Sequence, residues 1–131
     1  MDTDQRWRLS IEKLEKALSR LEEVVSIKDA NPLLTDATIQ RFEFCIELFW
    51  KTFRHLLALE GRETFSPKES LQAAYQLGWI QDEQAWLSML KDRNLTSHTY
   101  NEQLAEQIVQ HIKLYYPEMQ TTFQLLTQRF Q

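Results

Sequence analysis

The sequence predicts an all-α protein, an antiparallel four-helix bundle with one additional short helix, and three observations carry that expectation. Only two glycines and three prolines occur in 131 residues, too few for the many tight turns of a sheet protein. Apolar residues recur at spacings of three and four along most of the chain. Capping residues stand where those runs would begin or end. A chain of this length buries roughly two-thirds of the surface its unfolded form exposes. One helical domain over 1–131 is therefore expected, with no internal repeat, low-complexity tract or interdomain linker.

The first helix begins near Gln5 and places Trp7, Ile11, Leu14, Leu18, Leu21 and Val25 on one stripe, with charged residues around the rest. Ser26 to Thr35 carries Asp29, Asn31 and Pro32 and reads as a connection ending in the capping candidates Thr35 and Asp36. The second helix aligns Ile39, Phe42, Ile46, Phe49, Phe53 and Leu57 and stops at Gly61, where a C-terminal cap is expected. In Ser66-Pro67-Lys68-Glu69 an N-cap serine precedes a first-turn proline and a glutamate able to complete a capping box. A short helix to about Leu77 follows, and Gly78 ends it. A fourth run starts near Asp82 with Trp86, Met89 and Leu90 as its apolar contacts. The last helix turns Leu104, Ile108, Ile112, Tyr115, Met119, Phe123, Leu126 and Phe130 inward, with a kink expected at Pro117.

Charge and composition exclude several classes. A formal charge of -4 argues against broad capture of nucleic acid, since that affinity comes from phosphate neutralisation by lysine and arginine, so a nucleic-acid role needs a local basic site. Cys45, the single cysteine, cannot form an internal disulfide, and no basic start followed by an apolar stretch marks the chain for export. A cytoplasmic location is expected. No apolar stretch approaches the ~18 residues of a spanning helix, so no membrane association is expected. His55 and His111 lack ligand partners at helical spacing, and no metal or cofactor is expected. Cys45 reads as a small buried hydrophobe beside Phe42 and Phe49. No glycine-rich phosphate loop is present, so the chain does not read as a nucleotidyltransferase. Trp79 and Trp86 read as core or interface and Trp50 as interface, although aromatics can stack on bases.

Chemistry concentrates in Lys91-Asp92-Arg93-Asn94-Leu95-Thr96-Ser97-His98-Thr99-Tyr100. Its Thr, Ser and Asn side chains compete for backbone hydrogen bonds and weaken a continuing helix. Thr99 and Glu102 have capping-box spacing, so the final helix is expected to start just after His98, with free amides there suited to an anion. On an unbroken helix Arg93 and His98 would lie roughly 140° apart, whereas Asn94 and His98 share a face. Convergence of Arg93 and His98 therefore needs a break or a second chain. Arginine grips phosphate as a permanently charged fork, and histidine titrates near neutrality. The pair suits metal-independent cleavage of RNA, in which histidine deprotonates the 2′-hydroxyl and arginine stabilises charge on the phosphorus oxygens. A second proton-transfer group is required, and a symmetric dimer would supply a second His98. The spacing alone is weak, because Arg-x4-His also describes a solvated helix end.

The whole string carries more. Arg93-Asn94-Leu95-Thr96-Ser97-His98-Thr99-Tyr100 resembles the R-x4-6-H signature of HEPN domains, including the polar residue directly after the arginine. With Tyr100 it is similar to the R-x4-H-x-Y form of HEPN proteins that partner minimal nucleotidyltransferases, a branch called nucleotidyltransferase substrate-binding proteins. The stretch from Gln40 to Glu43 and on through Glu47 to Lys51 resembles the second helix of that branch. The resemblance spans nearly the full chain.

That resemblance implies a HEPN-like bundle with an extra helix, a homodimer and a cognate minimal nucleotidyltransferase encoded beside it. In the family's toxin–antitoxin pairs the HEPN member is a ribonuclease, and the transferase adds AMP to the motif tyrosine. Carried over, Arg93 and His98 are catalytic across the dimer, Asn94 supports them and Tyr100 is the modification site. Glu43, Glu47, Lys51 and Arg54 share one ridge of the second helix, and a solvated Glu47–Lys51 ion pair is their ordinary reading. The resemblance implies instead that Glu43 and Glu47 line the cleft and orient Arg93 or His98. Other family members only bind, so a non-catalytic nucleotide- or substrate-binding subunit of a nucleotidyltransferase is the alternative expectation. A purely structural helical dimer is a third.

Overall fold

The computed structural model describes residues 3–28 and 31–130, and Asp29 of the predicted connection lies outside them. Five α-helices follow in order: α1 (Thr3–Val25), α2 (Pro32–Leu59), α3 (Pro67–Gln76), α4 (Glu83–Leu95) and α5 (Glu102–Arg129), with a 3-10 turn at Thr96–His98 between the last two. No strand occurs among the described residues. The long helices α1, α2 and α5 pack on one another, α3 and α4 close the bundle against α2, and α4 also meets α5.

The predicted stripes face the core, fully buried in α2 and partly elsewhere: of the positions named for the last helix, Ile108, Ile112, Met119 and Leu126 are buried while Leu104, Tyr115, Phe123 and Phe130 are partly covered. All six apolar positions named for the second helix, Ile39 to Leu57, are buried in α2, and Leu14, Leu18 and Leu21 face them from α1. The aromatic centre of the bundle is Trp86 of α4, whose ring meets Phe49 and Phe53 of α2 edge-on at centroid separations of 4.8 Å and 5.6 Å. At one end, Trp7 and Trp79 close on Phe130, the C-cap of α5. On α1 the buried valine is Val24, with Val25 only partly covered.

Both glycines serve as helix stops. Gly61 and Gly78 have φ of 76° and 80°, a region that costs an L side chain strain but not glycine. In each case the glycine amide and the next amide bond back into the last turn: Gly61 N to Ala58 O, Arg62 N to Leu57 O, Gly78 N to Tyr75 O and Trp79 N to Ala74 O. That pairing is the Schellman motif.

One helix start and one capping contact differ from expectation in this part of the chain. α2 begins at Pro32, capped by Asn31, whose Oδ1 accepts the Leu34 amide at 2.9 Å; Thr35 and Asp36 lie already inside the helix. Proline explains the shift, since its fixed φ and missing N–H suit the first helical position. At α3, Ser66 caps the Glu69 amide as predicted, but the Glu69 carboxylate reaches the amide of Phe65 rather than that of Ser66. α5 runs through Pro117 as one helix.

Candidate active site

The second half of α4 carries the polar string, and what holds that segment decides where its side chains point. Asp82 caps α4 by accepting the Ala85 amide, Trp86 and Met89 anchor its first turns, and the last buried residue is Asp92. Arg93 donates from Nε to Glu47 Oε1 at 2.7 Å, and Trp50 Nε1 donates to the other carboxylate oxygen at 3.2 Å. Glu47 therefore pairs with Arg93 and Trp50, and the expected Glu47–Lys51 ion pair is not formed. The charge lies between α2 and α4 rather than along the ridge of α2. Glu43 is half-buried and joins no hydrogen bond among the described residues. Arg93 is 37% exposed, so its terminal amino groups remain open for a forked contact with an anion.

The helix breaks because its own side chains take the backbone acceptors. Thr96 Oγ1 donates to Arg93 O at 2.6 Å, Ser97 Oγ to Asn94 O at 3.3 Å and Thr99 Oγ1 to Thr96 O at 2.9 Å. The chain tightens into the 3-10 turn, and α5 starts only at Glu102. Its cap is Asn101, which accepts the Leu104 amide at 3.2 Å. The expected Thr99–Glu102 box is thus replaced: Thr99 still closes the 3-10 turn (ψ 5°), and Asn101 is the residue with the extended backbone (ψ 111°) that an N-cap takes. His98 and Tyr100 project from this hairpin end; Tyr100 is 83% exposed. The Tyr100 hydroxyl lies 3.5 Å from His98 Nδ1, a long contact, with the rings edge-on at 6.0 Å. Asn94 is exposed, its backbone carbonyl taken by Ser97. No hydrogen bond joins Arg93 to His98 among the described residues: the arginine is tied to α2 and the histidine to the hairpin tyrosine.

A polar cluster that the spacing did not suggest lies beside Arg93. Asp92, 6% exposed, accepts from Tyr115 OH at 2.6 Å, and His111 Nδ1 lies 2.9 Å from the same oxygen. Burial and the bond to Asp92 push the Tyr115 phenol above its usual range. Tyr115 also stacks on Phe42 at 5.9 Å. His111 and Tyr115 stand four apart on α5, which a sequence can show, but nothing local announces their partner, nineteen and twenty-three residues upstream. His55 is partly buried, and that desolvation, with Arg54 and Arg6 nearby, lowers its pKa. Burial pushes the Cys45 thiol up to about 12. Trp79 and Trp86 belong to the core, and Trp50 is half-buried beside Glu47. Among the described residues no group of three acidic, histidine or cysteine side chains is placed to hold a metal ion. No described helix is long and apolar enough to cross a membrane.

Next to Tyr100 opens a groove of about 860 Å³ between the N-terminal turns of α2 and α5, with Lys28, Thr35, Gln103, Gln107 and Lys113 among its lining.

Fold and site define a helical bundle whose α4–α5 corner presents an Arg-x4-His-x-Tyr string with the arginine anchored and the histidine and tyrosine exposed. The chain belongs to the HEPN-type family described as nucleotidyltransferase substrate binding protein like, whose model matches residues 9–128. It is 31% identical over 140 residues to the probable ribonuclease HepT of Haemophilus influenzae, covering 95% of this chain and 96% of that one. A crystal structure from Thermus thermophilus superposes with a TM-score of 0.81 at 38% identity, over 90% of this chain and 98% of the other. The tri-AMPylated HEPN toxin of Shewanella oneidensis, solved in complex with its MNT antitoxin, superposes with a TM-score of 0.71 at 17% identity over 98% of each chain. That last similarity shows the shared fold.

Proposed function

We propose that this chain is the ribonuclease toxin of a pair in which a minimal nucleotidyltransferase is the antitoxin, and that Tyr100 is where the transferase acts. One observation carries the reading: the exposed Tyr100 hydroxyl sits 3.5 Å from His98 Nδ1, so a group added to that oxygen is attached at the edge of the imidazole. The family to which the chain belongs and its HepT relative support it.

In this mechanism His98 takes the proton of the ribose 2′-hydroxyl, the freed oxygen attacks phosphorus, and the bond to the 5′-oxygen breaks to leave a 2′,3′-cyclic phosphate. The departing 5′-oxygen takes a proton from a second imidazole, His98 of the partner protomer in a homodimer. Arg93 meets the phosphorus oxygens with its terminal amino groups while Glu47 holds its Nε. Neutral imidazole carries one N–H, so which ring nitrogen faces Tyr100 fixes which one serves substrate. An adenylyl group on Tyr100 would crowd that edge of the imidazole.

A second reading, a non-catalytic subunit that holds a nucleotide for the transferase, would seat it in the groove beside Tyr100, where Lys28 and Lys113 face the phosphates among the carboxylates Asp36, Glu102 and Glu106. Purified protein with RNA in excess chelator separates the two. Cleavage that His98→Ala abolishes, with the helical content unchanged, is expected. Absence of cleavage together with nucleotide binding that Lys113→Ala in the groove abolishes sinks the toxin reading in favour of the other. Mass spectrometry after incubation with the partner transferase and ATP is expected to find AMP on Tyr100, and its appearance at another residue would remove that assignment.

A further inference from the structure

The last turn of α4 has little apolar anchoring of its own. Trp86 and Met89 are buried, but beyond them only Asp92 is, with Leu90 and Leu95 partly covered. Two consecutive residues do the holding instead. Asp92 reaches sideways to His111 and Tyr115 of α5, and Arg93, about 100° further round the helix, reaches to Glu47 of α2.

A buried carboxylate must find donors or lose a large part of its solvation. Asp92 finds two on one helix face, four residues apart, and both approach the same oxygen, Oδ2, at 2.9 Å and 2.6 Å. Rolling α4 about its axis would pull Oδ2 away from both donors together. Tyr115 is itself fixed by stacking on Phe42 of α2, so the clamp is referred to the same helix that carries Glu47. The rotation that keeps Asp92 bonded is the rotation that lays Arg93 against Glu47.

We propose that Asp92, gripped by His111 and Tyr115, is a positioning residue that sets the roll of the last turn of α4 and thereby the direction of the Arg93 guanidinium. The assignment rests on the ribonuclease reading for its catalytic consequence, and on geometry alone for its structural one. Asp92 touches no substrate in this arrangement. It acts through Arg93, which meets charge as that charge builds on the phosphorus oxygens, so loosening it weakens the transition state more than the bound substrate.

Two measurements test it on the full chain. The first follows the side-chain Nε–H of Arg93 by NMR, assigned from its disappearance in Arg93→Lys. In the unaltered protein this proton is expected downfield and slow to exchange because Glu47 accepts it. In Tyr115→Phe, in His111→Gln and most strongly in Asp92→Asn it is expected to shift toward the free guanidinium position and exchange faster. Glu60→Ala, which removes the distant Glu60–Arg129 ion pair, is expected to leave it in place. The second is RNA cleavage well below the melting temperature, where kcat is expected to fall about 10- to 100-fold in Asp92→Asn with KM within about twofold. Tyr115→Phe retains the ring and the stack, so it keeps the test open if Asp92→Asn folds poorly.

An Arg93 signal that stays put in all three clamp variants overturns the proposal, whatever the cleavage assay reads. A loss of kcat with that signal unmoved overturns it as well. If the unaltered protein cuts no RNA, the ribonuclease reading falls, and the movement of the Arg93 signal still decides whether the clamp sets its direction.

Discussion

Individual side chains in this protein are governed by what surrounds them more than by what they are. Glu47 illustrates it: on α2 it could pair with Lys51 four residues on, a contact worth a few tenths of a kcal/mol, yet it turns to Arg93 across the α2–α4 contact, where a charge-assisted bond is stronger and partly shielded. Replacing Glu47 with Gln keeps an acceptor and removes the charge, whereas Glu47→Ala removes both. RNA cleavage is expected to fall about 10- to 100-fold with alanine and less with glutamine. Equal cleavage by all three proteins would show that Arg93 needs no anchor. Cys45 gives a prediction of opposite character. Burial disfavours the thiolate and pushes the pKa up to about 12, so at pH 8 the group stays protonated and inert. Iodoacetamide is expected to leave the folded protein unlabelled and to modify Cys45 once the protein is unfolded in denaturant, as read by intact mass.

Helix boundaries follow the sequence reading at Gly61, Gly78, Ser66-Pro67 and Asp82, and depart from it at Pro32, which opens α2 instead of lying in the connection, and at the start of α5. The structure retains the ends that follow the reading because each acts through its own backbone or an amide within one turn. At the start of α5 the sequence points to Thr99 as the cap, and the structure gives that place to Asn101, two residues further on, while the Thr99 hydroxyl donates within the preceding 3-10 turn. Asn101→Ala is accordingly expected to cost about 1 kcal/mol in urea unfolding, with Thr99→Ala costing clearly less. The reverse order would return the cap to Thr99. Gly61→Ala has open space for its Cβ, but its φ of 76° is expected to cost about 1 kcal/mol through backbone strain alone.

At the scale of the molecule, the buried aromatic cluster of Phe49, Phe53 and Trp86 ties α4 to α2. That contact keeps the Arg93 end of α4 beside Glu47. Trp86→Ala is expected to remove about 3–5 kcal/mol of stability in urea unfolding and to loosen the arginine with it. The proposed second His98 comes from another copy of the chain. Cleavage per chain is therefore expected to fall on dilution in step with dissociation to monomers, followed by light scattering at the same concentrations. Activity that persists in the monomer would require an acid within one protomer.

The sequence by itself determined the helices, their buried faces and the Arg-x4-His-x-Tyr string, because helical periodicity, capping and a short motif are all properties of neighbours along the chain. Its own spacing left Arg93 and His98 on different sides of a helix and gave no partner to either. Tertiary structure decided those partners: Glu47 for Arg93 from forty-six residues away, and the pair His111 and Tyr115 for Asp92. Such contacts depend on how α2, α4 and α5 roll against each other as they bury Phe42, Phe49 and Trp86. That rotation is set by packing three helices at once, and no local stretch of residues encodes it.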